Sequence, residues 1–328
     1  MSALVSIIVP IFNVERYIEK CARSLFEQTY DNIQFVFVND CTQDNSLSIL
    51  QSVIKEYPSI SNRVKIVSHA NNKGLAVARN TGVLAAEGVY VMHVDSDDTI
   101  ERNTVEMCID KAETEKADAV VFGMRHIKEN GSYIEHIHVP ADHQLYIKQL
   151  IEREAVVCMC GGLYKRTLYL DNNVWAIPGL NMGEDYSTKP RLLYYAKKVV
   201  ALDSPLYIYN HLNEKSYTQS FNSNRIDNIQ KAIDVLLKFF NEQQDSEVYK
   251  KSLQIASLSS KVILLKLWGV SDSSRHDFDR IKIMYEELNI NCIKSFVDRV
   301  LLQLAKKDYA LLVRVFVKVG IIIKSLFR

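Results

Sequence analysis

The chain lacks any paired-cysteine motif. Its six cysteines, Cys21, Cys41, Cys108, Cys158, Cys160 and Cys292, are scattered over 328 residues, with no CxxC and no histidine at metal-ligand spacing. Disulfide scaffolds are short and cysteine-dense, so neither a disulfide framework nor a structural zinc site is expected. Reduced thiols packed as small apolar side chains fit a cytoplasmic protein. An excess of one charge is missing too: 40 Lys and Arg face 39 Asp and Glu, a formal net of +1. Nothing in that balance favours nucleic acid as a partner, whereas a nucleotide needs only a few local contacts. The apolar opening MSALVSIIVP has no basic residues before it, stops at Pro10 and runs into Glu15 and Arg16. It reads as a strand rather than a signal peptide. No uninterrupted apolar run reaches the ~18 residues of a membrane span. Internal repeats and low-complexity tracts are also lacking.

What is present is the composition of a soluble globular protein, 48% hydrophobic and 24% charged, long enough for two domains. The first half alternates two periodicities. Short β-branched runs at Val5–Val9, Ile33–Val38, Val64–Val67, Val89–Val94 and Ala119–Phe122 read as strands. Between them Val14–Gln28, Ser46–Tyr57, Gly74–Ala86 and Arg102–Lys116 carry apolar residues at helical spacing. Such alternation predicts an α/β layer with a mostly parallel sheet, covered on both faces because its strands are continuously apolar. Ligands then bind beyond the carboxyl ends of the strands. Polar residues gather there: Asn39-Asp40 after the second strand, Ser68-His69 and Asn71-Asn72-Lys73 after the third, Asp95-Ser96-Asp97-Asp98 after the fourth. From Arg125 to Asn213 the pattern is mixed, with a hairpin turn at Asn130-Gly131 and a glycine pair at Gly161-Gly162. From Asn224 it is nearly all helical, which places a boundary at Asn222-Ser223.

Three carboxylates within four residues, Asp95, Asp97 and Asp98, repel one another unless solvated or neutralised by a cation. Hard divalent ions such as Mg²⁺ or Mn²⁺ take oxygen ligands, often one or two carboxylates together with substrate phosphates. The same run could instead be a loop capping the next helix through Asp98 or Thr99. Asp40 could be a turn former or an acceptor for a base N–H, while Asp44 or Ser46 is suited to cap the following helix. Glu184-Asp185 follows a glycine-bearing loop, Gly179 to Gly183. Its acids either meet the macrodipole of the next helix or supply a general base for a hydroxyl nucleophile.

Six ordered segments, covering roughly the first 190 residues, resemble the family 2 glycosyltransferases. Val9-Pro10-Ile11-Phe12-Asn13-Val14-Glu15 is similar to VPxYNxE, and Ser24 to Tyr30 to a SxxxQxY/F helix end. Val38 to Ser46 resembles VDDGSxDxS, Asn72 to Gly82 resembles NxGxxxARNxG, Asp95 to Asp98 is a DxDD form of DxD, and Glu184-Asp185-Tyr186 resembles ED-Y/F. The resemblance implies a GT-A fold, with a Rossmann-like nucleotide half over about residues 1–124 and an acceptor half over about 125–222, followed by helices over 223–328. It implies an inverting transfer from a nucleotide-sugar, a UDP-sugar by preference, to a saccharide or lipid-linked saccharide, in building cell-surface polysaccharide or glycoconjugate. Carried over by position, Pro10, Phe12, Asn13, Glu15, Asp40, Lys73, Arg79, Asp95 and Ser96 serve the nucleotide, with Asp40 accepting from the base. Asp95, Asp97 and Asp98 serve a Mn²⁺ or Mg²⁺ cofactor, with His211 a further metal or diphosphate contact, and Asp185 is the base.

The departures are local. Asn39 replaces the first Asp of the usual pair, and Cys41-Thr42 replaces Gly-Ser. Where many relatives have YxYRxRxxSxT, this chain has Tyr207-Ile208-Tyr209-Asn210-His211-Leu212-Asn213-Glu214-Lys215-Ser216-Tyr217-Thr218. Asn210 and Leu212 stand at the arginine positions, with Lys215 a candidate for the missing charge. Near the end, Leu312, Val315, Phe316, Val319, Ile322, Ile323 and Leu326 share a helical face, while Arg314, Lys318, Ser325 and Arg328 fall on another. The apolar face suits packing on the protein's own core, the commoner arrangement, or an anionic membrane at the inner face of the plasma membrane. A nucleotidyltransferase would need a glycine-rich, basic N-terminal loop, and Val9 to Glu15 has no glycine. A silent nucleotide-sugar or glycan-binding module is the other alternative, against which the full set Asp40, Asp95, Asp97 and Asp185 speaks.

Overall fold

The computed structural model describes residues 2–180, 182–213 and 223–326, with side chains excluded at 223 and 321–326. Glu214, Lys215, Ser216, Tyr217, Thr218 and Arg328, named above, lie outside the described residues, as do the side chains of Ile322, Ile323, Ser325 and Leu326. In chain order the first part runs β1 (Val5–Ile11), α1 (Ile18–Phe26), β2 (Ile33–Asn39), α2 (Ser46–Glu56), β3 (Val64–Ser68), α3 (Leu75–Ala85), β4 (Tyr90–His93), β5 (Thr99–Ile100) and α4 (Thr104–Glu115). It continues through β6 (Ala119–Lys128), β7 (Gly131–Glu135), α5 (His143–Glu152), β8 (Gly162–Lys165), α6 (Thr167–Leu170), α7 (Glu184–Tyr194) and β9 (Val199–Asn210).

The strands form one sheet in the order β3-β2-β1-β4-β8-β6-β9-β5, with β7 on β6. β3, β2, β1 and β4 are parallel, as the alternation predicts; β8 then enters antiparallel and makes the remainder mixed. β1 and β2 are buried along their whole length, which their unbroken apolar sequences require. α1 covers one face with Ile18, Cys21, Ala22, Leu25 and Phe26, at the i, i+3, i+4, i+7, i+8 spacing of a single stripe. α3 sits so close to β1 that a Cβ at Gly82 would lie 2.2 Å from Ile8 Cγ2, so only glycine is accommodated there.

Two details build the site. The two-residue strand β5 pairs with β9, Thr99 opposite Ile208, and draws the Asp95–Asp98 run beside the end of β9. A hairpin forms one residue earlier than the Asn130-Gly131 turn read from the sequence: Lys128 pairs with Gly131, Glu129 and Asn130 make the loop, and β7 folds back on β6 with His126 opposite Tyr133.

By internal contacts the chain divides into two compact units, residues 1–147 with 155–216, and residues 148–154 with 217–328. The boundary expected at Asn222-Ser223 adjoins residues 214–222, which lie outside the described residues. The second unit contains α8 (Ser223–Asn241), α9 (Lys250–Val270), α10 (Arg275–Ile283), α11 (Phe296–Lys306) and α12 (Ala310–Leu326), around Leu264, Leu265, Trp268, Phe278, Leu301 and Val313. α9 is long and apolar enough to cross a membrane by length and composition, although its sequence is interrupted by polar residues; 61% of its apolar window is buried in the protein. α12 departs from the expected packing. Val313 and Val317 face the core, whereas Leu312, Val315 and Val319 of the predicted apolar face are 49%, 51% and 47% exposed.

Candidate active site

The loops after β1 and β2 are knitted together first. Asn13 adopts a left-handed φ of 55°, tolerable for Asn, and its N–H donates to Thr42 Oγ1 while its Oδ1 accepts from Gln43 N. Glu15 accepts from both Asn45 N and Nδ2, and Asp44 accepts from Glu15 N and Ser46 N. The polar groups of Asn13 and Glu15 are therefore engaged in holding two loops and the start of α2, beneath Phe12, which is 37% exposed at the end of β1. Pro10 is buried within β1.

Asp40 is buried and organises the next loop. Its Oδ1 accepts from Lys73 N at 2.8 Å and its Oδ2 from Gly74 N at 2.8 Å, while His69 Nδ1 lies 2.6 Å from Oδ1. His69 Nε2 meets Thr81 Oγ1 at 2.9 Å. A carboxylate can only accept here, so His69 carries its proton on Nδ1 and accepts from the threonine. Gly74 precedes α3 with φ 86°, a conformation that suits glycine. The Lys73 side chain is exposed.

Around the acidic run, four elements converge. Arg79 of α3, with a side chain only 5% exposed, donates through Nη2 to Asp95 Oδ1 at 2.8 Å and through Nη1 to Glu184 Oε1 at 2.9 Å and Asp185 Oδ1 at 2.5 Å. Asp95 Oδ2 accepts from the Cys160 thiol at 3.2 Å. Burial raises the pKa of Asp95, but the Arg79 guanidinium outweighs it and holds the carboxyl below its ordinary value. Ser96 is buried. Burial and then Asp95 push Asp97 above its ordinary value; burial and then Asp97 and Asp95 push Asp98 well above it. Asp98 accepts from the Tyr207 hydroxyl and Asn210 N, both at 2.7 Å, and so anchors the end of β9. Asp97 is more accessible and accepts from Asn213 Nδ2 at 2.9 Å.

Asp185 opens α7, whose preceding Gly183 has φ 86°. Its Oδ2 accepts from Met159 N at 3.0 Å. Lys189, one turn further along α7 and fully buried, donates to the Val156 and Cys158 carbonyls at 3.0 and 2.9 Å, steadying the segment that leads to Met159. Burial and then the Asp185 charge push Glu184 up to about 7.

Arg79 thus joins Asp95 to Glu184 and Asp185, while Asp97 and Asp98, next in the acidic run, bond to the end of β9 and the residues after it. Asn210, at a missing arginine position, instead donates its backbone N–H to Asp98. The His211 ring turns to His126, with Nε2 2.9 Å from His126 Nδ1, and its pKa is lowered by burial and then by His126 and Lys128. Sequence reasoning does not single out His126, and it reads His69 only as a polar residue at a strand end and Cys160 as a packing thiol. Cys160 departs from the expectation of cysteines that only pack. Among the described residues no three His, Cys, Asp or Glu side chains converge at metal-ligand spacing. Accessible Asp97 beside Asp95 is nonetheless a hard-oxygen donor set, and the Asp95 charge still raises the Asp97 carboxyl although Arg79 and Asn213 offset part of it. That suits a Mg²⁺ or Mn²⁺ ion completing its shell with substrate phosphates and water.

An α/β sheet with an acidic strand end, a buried arginine and a carboxylate in the first turn of α7 is the arrangement expected of a glycosyltransferase of the GT-A fold. Residues 6–171 match glycosyl transferase family 2, and the chain belongs to that family. It is 30% identical to the putative glycosyltransferase EpsH of Bacillus subtilis (strain 168), over 83% of this chain and 79% of that protein. It is 35% identical to the hyaluronan synthase of Pasteurella multocida, over 40% of this chain and 13% of that much longer protein. In structure it resembles Staphylococcus aureus TarS 1–349 in complex with UDP-GlcNAc, with a TM-score of 0.74 at 19% identity, covering 96% of this chain and 90% of that one. The mannosyltransferase PcManGT of Pyrobaculum calidifontis, in complex with GDP-Man and Mn²⁺, matches with a TM-score of 0.57 at 16% identity, covering 97% and 87%.

Proposed function

We propose that this glycosyltransferase moves a sugar from a UDP-sugar to a saccharide or lipid-linked saccharide hydroxyl, inverting the anomeric centre, in assembly of a cell-surface polysaccharide or glycoconjugate. The observation that carries the reading is the bonding of Asp185 and Asp95 to a single buried guanidinium, that of Arg79. It keeps a candidate base within one side chain's reach of the acidic run. Asp185, oriented by Arg79 and Met159 N, accepts the proton of the acceptor hydroxyl as its oxygen attacks the anomeric carbon and the nucleoside diphosphate departs on the opposite side. Asp97, with Asp95 beside it, would hold a divalent cation, which when bound offsets the charge of the departing diphosphate. Asp98 supports Asp97 by fixing β9. The base of the nucleotide would lie between Pro10, Phe12 and Asp40, whose Oδ2 accepts only one backbone N–H and can take a further one from the base. Lys73 and Ser96 would serve the same nucleotide. The UDP-GlcNAc complex of TarS supports the donor class, and the GDP-Man and Mn²⁺ complex of PcManGT supports the metal.

A cytoplasmic protein resting peripherally on the inner face of the plasma membrane fits the uncovered face of α12. From Tyr309 to the end the chain has Arg314, Lys318, Lys324 and Arg328 and no acidic residue.

The first test is calorimetric titration of UDP with Mn²⁺ and then with EDTA, on wild type and Asp97→Ala. Metal-dependent binding lost in the variant supports the site. Binding of GDP but not UDP changes the donor class, and no nucleotide binding with metal present refutes the reading.

A further inference from the structure

Asp40 is held from more sides than a turn-forming aspartate requires. It follows β2, and the groups that bond its carboxylate come from the loop after β3. Lys73 N donates to Oδ1 and Gly74 N to Oδ2, each at 2.8 Å, and His69 Nδ1 stands 2.6 Å from Oδ1. The sheet places His69 there. β3 runs parallel to β2 with Ser68 opposite Asn39, and His69 N donates to Asn39 O at 2.9 Å, so residues 40 and 69 leave their strands side by side. The far side of the imidazole is fixed as well, with Nε2 2.9 Å from Thr81 Oγ1 on α3. The side chains of His69 and Asp40 are 5% and 3% exposed, so neither turns freely. Neither His69 nor Thr81 has a part in the chemistry above.

The number of acceptor sites left on Asp40 follows. An ionised carboxylate has about four lone-pair sites, two on each oxygen, and no proton to give. His69 Nδ1 therefore carries the proton of its contact whether the ring is neutral or charged. Oδ1 is filled by Lys73 N and His69 Nδ1, and Oδ2 is half filled by Gly74 N. One site remains, on Oδ2. The nucleobases differ at the edge that such a group meets. Uracil offers a single imide N–H between two carbonyls, and cytosine has a bare ring nitrogen in that place. Guanine offers two adjacent N–H donors, which a carboxylate with both oxygens open takes side by side. With Oδ1 filled, one guanine donor would lose its water and gain no partner, a cost larger than an ordinary hydrogen bond returns.

We propose that His69 is a specificity-determining residue: by filling Oδ1 it leaves Asp40 a single acceptor site and so selects a uracil nucleotide over a guanine one. Thr81 is the positioning residue that keeps the imidazole turned to Asp40. The inference rests on the reading that Asp40 meets the base. Specificity of this kind comes from denying the wrong ligand a partner, not from a further contact to the right one.

The test is calorimetric titration of the full chain with UDP, GDP and CDP in the presence of Mn²⁺. Wild type should prefer UDP. In His69→Leu, which keeps bulk but opens Oδ1, the UDP-to-GDP affinity ratio should fall about 10-fold, the effect of one buried donor regaining a partner. The UDP-to-CDP ratio should stay as in wild type, because the open site on Oδ2 is untouched. His69→Asn, which keeps an N–H near the place of Nδ1, should restore the UDP-to-GDP ratio. Thr81→Val covers the case of a His69→Leu protein that folds poorly, and should lower the same ratio by a smaller factor. A UDP-to-GDP ratio unchanged in the variants, or affinities for all three nucleotides that fall together, overturns the proposal and leaves the transferase chemistry standing. Wild-type protein that binds none of the three removes both.

Discussion

Replacing Arg79 by methionine tests the centre of the site. The substitution keeps length and apolar bulk but removes the one cation that Asp95, Glu184 and Asp185 share, at 2.8, 2.9 and 2.5 Å. Breaking a buried ion pair by deleting one partner costs about 3–5 kcal/mol, because the remaining charge is buried and unpaired. The low end applies here. Asp95 and Asp185 side chains are 25% and 18% exposed, and water can reach them. Glu184, already pushed up to about 7, is easily neutralised by a proton. A loss of about 3 kcal/mol lowers the melting temperature of a domain this size by roughly 6–12 °C. The loss should be larger at pH 8 than at pH 5.5, since the orphaned carboxylates take up protons as pH falls. Two readouts accompany the melting curves. Turnover should collapse as Asp185 loses its orienting partner, while UDP affinity stays within a few-fold of wild type. Unchanged stability together with lost UDP binding would refute the reasoning and return Arg79 to the nucleotide contact that the family resemblance implies.

Other consequences are open to measurement. Glu184 binds its proton more tightly in the folded protein than in the unfolded chain, so its contribution to stability is full below about 4.5 and lost as pH rises through about 7. Glu184→Gln should flatten that stretch of the stability–pH curve; a parallel curve for the variant speaks against the shift. Cys41 occupies a left-handed backbone with φ 61°, at the position where the family motif has glycine. Cys41→Gly should relieve that strain and raise stability by up to about 1 kcal/mol in urea unfolding, whereas a loss would show that the Cys41 thiol contact to Ala70 O matters more. For α12, full-length protein should float with vesicles containing anionic lipid at low salt. Leu312→Asp with Val315→Asp should abolish flotation without lowering the melting temperature, because both side chains are about half exposed; a lowered melting temperature would mean that the face is packed.

The parallel strands and the acidic strand end were legible because both are local. Continuous apolar runs alternating with amphipathic ones leave few ways to bury the chain, and a polar cluster after a buried strand has one edge of the sheet to occupy. Roles set by distant partners were not. Arg79 reads as one more member of a motif near the nucleotide, yet two of its carboxylates come from residues more than a hundred positions away, on α7. His126 looks like an ordinary strand residue until register sets it between Tyr133 and Tyr209. Asn13 and Glu15 sit inside a motif, but what they bind is the adjoining loop.

The last helix shows the same rule in another form. α12 has apolar residues around most of its circumference, so helical periodicity offers two faces and cannot choose between them. The choice is made by α9. A Cβ at Gly269 would come within 2.9 Å of Val317 Cβ, so the glycine opens a place for Val317 and no larger residue would serve. Arg314 then locks the rotation of the helix. Its guanidinium lies 4.1 Å from the Trp268 ring centroid and donates to the carbonyls of Ser271 and Ser273 at 2.6 Å. An arginine assigned to the polar face is thereby drawn toward the core, and Leu312, Val315 and Val319 are turned outward. The uncovered stripe is thus set by a small residue on a neighbouring helix and by the arginine of α12 itself, and its exposure follows from packing rather than from a shortage of apolar surface to cover.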